Sequence, residues 1–122
     1  MAEKYGYPLS DWNDAKEEMR QILIEKAKAG KTIAYSELTA RLHTITFAPR
    51  SSAFAAILGE ISTEENSAGR GMLTVIVVHK QGDMQPGPGF FELAETLGRD
   101  TSDIEKCWIN EINWVFSIWK AQ

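Results

Sequence analysis

Met72-Leu73-Thr74-Val75-Ile76-Val77-Val78 is a β-branched, apolar run almost without a polar break. A strand with one face in water alternates apolar and polar residues. This run does not alternate, so it predicts a central strand covered on both faces. The rest of a 122-residue chain must supply the covers. That length suits one domain, since ~100–150 residues is the commonest domain size, and such a domain holds a core without cross-links. A single domain over residues 1–122 is expected.

Helical spacing marks the covers. Ser10 is a candidate N-cap, and Asp11 and Asp14 follow in a first turn where negative charge suits the helix dipole. Trp12, Ala15, Met19, Ile22, Leu23 and Ala27 then recur at helical intervals, and Gly30 closes the helix. Thr32 to Tyr35 reads as a short extended piece. Ser36 is the next candidate cap, ahead of a two-turn helix over 36–42 with Leu38 and Leu42 inward. His43 to Arg50 reads as a connector with Pro49 as its breaker. A third helix is predicted from Ser51 or Ser52 to about Thr63, with Phe54, Ile57, Leu58 and Ile61 on one face. Its small Ala53, Ala55, Ala56 and Gly59 permit close approach of another backbone. Residues 63–71 read as a polar loop, Gln81 to Gly89 as a glycine- and proline-rich loop, and Phe90 to Leu97 as a short helix closed by Gly98. The last helix opens on a capping box, Ser102-x-x-Glu105. It carries Ile104, Trp108, Ile112, Val115 and Trp119 on one stripe, and Cys107, Trp114 and Ile118 on a second.

The fold class these elements predict is a small α+β domain, winged-helix-like and mainly helical, with a short sheet. Helices 36–42 and 51–63 stand where a helix-turn-helix pair would, the second as the element that reads a nucleic acid. Charge does not favour that function globally. Thirteen basic residues against 17 acidic ones leave a net charge of −4, whereas nucleic-acid binders are usually basic. Contacts to phosphate must then come from a local patch, and the basic residues between Ser36 and Lys80 are Arg41, Arg50, Arg70 and Lys80. Ser51 and Ser52 add polar groups at the head of the third helix.

Three segments carry a resemblance to a known family. Gly30-Lys31-Thr32-Ile33-Ala34-Tyr35-Ser36-Glu37-Leu38 resembles the start of the DNA-binding domain of alkylguanine-DNA alkyltransferases and alkyltransferase-like proteins. Pro49-Arg50-Ser51-Ser52-Ala53-Phe54-Ala55-Ala56-Ile57-Leu58 is loosely similar to that family's recognition helix. Thr74 to Lys80, followed by Gly82, takes the place of its Pro-Cys-His-Arg-Val segment and the turn after it. The likeness spans roughly residues 10–90. It implies binding of double-stranded DNA and a winged-helix fold. It does not imply alkyl transfer, which needs a thiolate nucleophile: residues 72–80 hold no cysteine, and Cys107 lies in the last helix. The chain also resembles a set of uncharacterised bacterial proteins through Tyr35-Ser36-Glu37-Leu38, Leu73 to Lys80, and Pro86-Gly87-Pro88-Gly89-Phe90-Phe91. That likeness implies no activity.

The remaining chemistry-bearing residues point to no reaction. His43 and His79 have no zinc or two-His-one-carboxylate spacing, so no metal and no cofactor are expected. The Gly82–Phe91 stretch lacks the Gly-Lys-Ser/Thr ending of a phosphate loop. It reads as a rigid strand-to-helix connection, with anion binding by its backbone N–H groups as the alternative. A non-catalytic nucleic-acid-binding or regulatory protein is expected, and not an enzyme. The alternative is a protein-interaction module, or a homodimer joined through the C-terminal helix, whose second stripe lacks an obvious cover. Cys107 stands alone and excludes an internal disulfide. No stretch nears the ~20 apolar residues of a membrane span, and the N-terminus lacks a signal peptide's apolar run, so a cytoplasmic protein with no membrane partner is expected.

Overall fold

The computed structural model describes residues 3–48, 50–80 and 85–121. In chain order the elements are β1 (Glu3–Lys4), β2 (Tyr7–Pro8), α1 (Leu9–Lys28), β3 (Ile33–Ala34), α2 (Tyr35–Arg41), α3 (Ser52–Ser67), a 3₁₀ turn (Leu73–Ile76), β4 (Val77–Val78), α4 (Pro88–Thr96) and α5 (Ile104–Lys120). The architecture is a mainly helical α+β arrangement. Among the described residues its sheet content is two short pairs: β1 with β2, antiparallel, and β3 with β4, parallel, in the register Ile33–Val77 and Ala34–Val78.

The apolar run at 72–78 is central, as its composition predicts, but most of it is not a strand. Met72 to Val78 are buried throughout, and α1, α3 and α5 all pack on the Leu73–Ile76 turn. Side chains, not a neighbouring strand, satisfy its backbone. The Glu111 carboxylate accepts from Met72 N at 2.8 Å, and Ser62 Oγ accepts from Thr74 N at 3.1 Å. Trp108 Nε1 donates to the Val75 carbonyl at 3.2 Å, and Val75 N closes the turn on the Met72 carbonyl. A buried run needs its N–H and C=O groups paired, and any partner will serve. Here polar groups on α3 and α5 supply partners at positions a strand ladder would otherwise use, so only Val77 and Val78 pair as strand.

Helix ends follow their cap chemistry, with shifts. α1 begins at Leu9 behind Pro8, so Ser10 lies inside the first turn and does not cap. α2 starts on Tyr35, with Ala34 and not Ser36 at its N-cap position. On α5 the cap is Asp103, whose side chain accepts from Lys106 N, while Ser102 bonds back to Asp100. α3 runs four residues past the predicted end, through Ser67. Its polar last turn stays helical because Glu64 and Glu65 face α1, where Lys16 and Arg20 hold them. Gly69 then takes φ +80°, and Arg70 N bonds the Glu65 carbonyl, the glycine-terminated ending also found after α1 and α4.

The second stripe of α5 finds intramolecular cover for two of its three members. Cys107 is buried and Ile118 packs against the core. Trp114 remains 46% exposed, with the Arg99 guanidinium 5.5 Å from its ring centre. Among the described residues no helix is long and apolar enough to cross a membrane.

Candidate functional site

Local structure brings three helix starts to one place. Tyr35 opens α2 directly after β3, Ser51 caps α3 by accepting from Phe54 N at 3.2 Å, and Gly87 precedes Pro88 at the start of α4. β4 ends at Val78, and His79 and Lys80 follow it beside them. A cavity of about 480 Å³ opens between these segments. Phe54 and Leu58 of α3 and Phe90 and Leu93 of α4 form its apolar walls, and Gly59 leaves part of the α3 wall without a side chain.

The polar groups around this apolar interior are few. Tyr35 Oη accepts a hydrogen bond from Gly87 N at 2.8 Å, which ties the α2 start to the α4 start. Its ring meets His79, with centroids 5.2 Å apart, and crosses Phe54 edge-on at 6.3 Å. Burial pushes the Tyr35 hydroxyl above its ordinary value of 10.0, against the opposing pull of the Gly87 N–H, so it keeps its proton at neutral pH. His79 N donates to the Gln85 carbonyl at 3.0 Å, which sets the approach of the chain to Gly87. A Cβ at Gly87 would stand 3.4 Å from His79 Nε2 and 3.6 Å from Tyr35 Oη, so a glycine keeps this corner open.

Arg50 and Lys80 border the cavity, and neither makes an ion pair among the described residues. No acidic side chain lines the cavity among the described residues. In a chain of net charge −4 this is a locally positive place, reinforced by the N-termini of α3 and α4, whose cap residues Ser51 and Gly87 line it.

The residues singled out from the sequence divide accordingly. Arg50, Ser51 and Lys80 come together at the cavity, and Ser52 is exposed beside them as the first residue of α3. Arg41 lies at the end of α2, 3.9 Å from Glu25. Arg70 sits past the far end of α3, whose 16 residues rise about 24 Å. Its guanidinium is held by both oxygens of Glu65. The structure therefore gathers one end of the proposed contact set and separates the other. Tyr35, Phe54, His79 and Gly87 join the site without having been assigned to it by pattern. Each reads from sequence as a core, loop or isolated residue, and only the fold puts them within reach of one another.

Among the described residues, nothing in the site resembles a nucleophile with its base. Ser51 Oγ serves as a cap, and Thr74 Oγ1 is 2.5 Å from Ser62 Oγ. Cys107 is buried in α5 away from the cavity lining, and burial raises its thiol above the ordinary value, the neutral and unreactive direction. Among the described residues no group of three His, Cys, Asp or Glu side chains stands close enough to hold a metal ion. Comparison with protein-family models, with curated proteins and with solved structures finds no match to this chain.

Proposed function

We propose that this chain is a non-catalytic nucleic-acid-binding protein of winged-helix type, which meets double-stranded DNA with the head of α3. One observation carries the reading. The segments similar to the DNA-binding domain of alkyltransferase-like proteins, at Tyr35–Ser36, Arg50–Leu58 and Thr74–Lys80, all border one cavity, and its two cations, without an ion pair among the described residues, lie on them. Tyr35, the first residue of α2, meets Phe54 of α3 edge-on, with ring centroids 6.3 Å apart. Arg50 and Lys80 are the phosphate contacts, with Ser51 and Ser52 beside them, while Arg41 and Arg70 stay with their carboxylates. Two strong contacts on an acidic protein imply weak binding that salt readily reverses.

The test is retention of labelled duplex and single-stranded oligonucleotides at low salt. Arg50→Ala and Lys80→Ala should each flatten the duplex log-affinity against log-salt slope by about 0.9, and Arg70→Ala should leave it unchanged. Absence of any retention at low salt rejects the reading.

A homodimer through α5 has one observation in its favour, the half-exposed Trp114. The other exposed apolar residues of that helix, Ile104 and Ile109, are each five residues from the next. Steps of five turn about 140° around a helix, so the three do not share a face. Sedimentation of the wild type as a monomer at micromolar concentration ends this second reading. A dimer that Trp114→Glu converts to a folded monomer supports it.

A further inference from the structure

The cavity has properties that contact with a phosphate backbone does not require. A surface that tracks phosphates needs cations and N–H groups, not an apolar interior. This site instead has a half-open, largely apolar interior of about 480 Å³, within the range of small-ligand pockets. Its walls are partly aromatic, with Phe54 and Phe90 beside the Tyr35 and His79 rings. Its cations, Arg50 and Lys80, have no carboxylate partners among the described residues. Gly59 adds a third feature. A glycine in the middle of a helix is less favourable than alanine there. A Cβ there would meet only Leu93 Cδ2, at 4.0 Å, so no packing constraint demands glycine. Its effect is to leave space in the cavity.

We infer that the cavity binds a free, flat aromatic acid, with the ring between α3 and α4 and the carboxylate between Arg50 and Lys80. The ring replaces water against Phe54, Leu58, Phe90 and Leu93, where apolar burial favours it. The carboxylate meets the two cations and the positive ends of α3 and α4, in a lining without like charge among the described residues. Tyr35 Oη already accepts from Gly87 N, so its own proton is the group left to donate to an acceptor on the ligand. This site does not depend on nucleic-acid binding, and either property can hold without the other.

The probes are 1-naphthoate and its uncharged isostere 1-naphthamide, titrated into the full chain by calorimetry and by amide NMR. The naphthoate should bind with one-to-one stoichiometry, roughly tenfold tighter than the amide, because only the carboxylate gains two ion pairs, each modest at a partly exposed mouth. Arg50→Ala and Lys80→Ala should each weaken the naphthoate severalfold and leave the amide unchanged. Gly59→Leu, which fills the interior, should abolish binding of both. Should that variant fail to fold, the NMR of the wild type decides: the amides of Ser51, Gly59 and Gly87 should shift, while those of α1 should not. Equal affinity for the two probes overturns the inference, as does an undiminished response in folded Gly59→Leu, shifts centred away from these amides, or no binding at millimolar naphthoate. Oligonucleotide retention measured on the same samples keeps failure here separate from failure of the nucleic-acid reading.

Discussion

Glu65→Ala is the substitution whose cost the structure specifies most fully. The Glu65 side chain is 2% exposed, on the face of α3 that meets α1. Its Oε1 accepts from Arg70 Nε at 2.7 Å, and its Oε2 accepts from Arg70 Nη2 at 2.9 Å and from Arg20 Nη1 at 2.7 Å. Removing one member of a buried charge pair costs about 3–5 kcal/mol, because the partners stay desolvated without compensation. Two facts set the value at the low end. Arg20 retains Glu17 and Glu64, and the Arg70 side chain is open enough to reach water. The expected loss is about 3 kcal/mol, or a fall in Tm of roughly 10–15 °C for a domain of this size. The pH dependence gives an independent check. Hydrogen bonds from Arg70 hold the Glu65 carboxyl below its ordinary value of 4.5, against burial, which acts upward. A lowered folded value means that the stabilisation is complete above pH ~4.5 and is lost as the pH falls through the folded value. Urea unfolding of wild type and variant at pH 7, and again at steps below pH 4.5, should show a gap that narrows in acid. A loss under 1 kcal/mol at neutral pH, or a gap that does not narrow, would refute the account of Glu65 as a buried ionic tie between α1 and α3.

Gly59→Ala should raise the unfolding free energy by about 0.5–1 kcal/mol, read by urea denaturation, since alanine gains helix propensity and meets nothing closer than 4.0 Å; a destabilised variant would mean that the cavity wall is already in contact there. Gly71→Ala should go the other way by about 1–3 kcal/mol, because φ is +79° and the new Cβ would stand 3.1 Å from both Glu111 Oε2 and Val115 Cγ2. Thr74→Val should cost about 1 kcal/mol by the same measurement, through loss of the bond to Ser62 inside the core. Cys107 should react with a thiol reagent only at the rate of unfolding, since it is buried and its pKa is raised; stoichiometric labelling of native protein within minutes would contradict the packing of α5.

Some of this protein is legible along the chain because the deciding interactions are local. The spacing of Trp12, Ala15, Met19, Ile22, Leu23 and Ala27 marks the inward face of α1; five are buried, and Ile22 is half-buried against the core. Gly30 and Gly98 end their helices with positive φ, as the residue without a Cβ does most readily. The burial of Met72 to Val78 is likewise readable, since seven residues with a single hydroxyl have no water-facing side.

Tertiary structure decided the rest. Strand and 3₁₀ turn bury the Met72–Val78 run equally well, so hydrophobicity does not choose between them. Ser62 and Glu111 choose, by bonding to Thr74 and Met72 from 12 and 39 residues away. Glu64 and Glu65 read as a solvated loop because their partners on α1 lie more than 40 residues back. The cavity has the same origin at longer range: Tyr35 and Gly87, 52 residues apart, meet through one hydrogen bond. Side-chain periodicity and cap residues act within a few bonds of themselves and can be read in order. Partners for buried polar groups, and the empty space between helices, exist only once distant segments have packed.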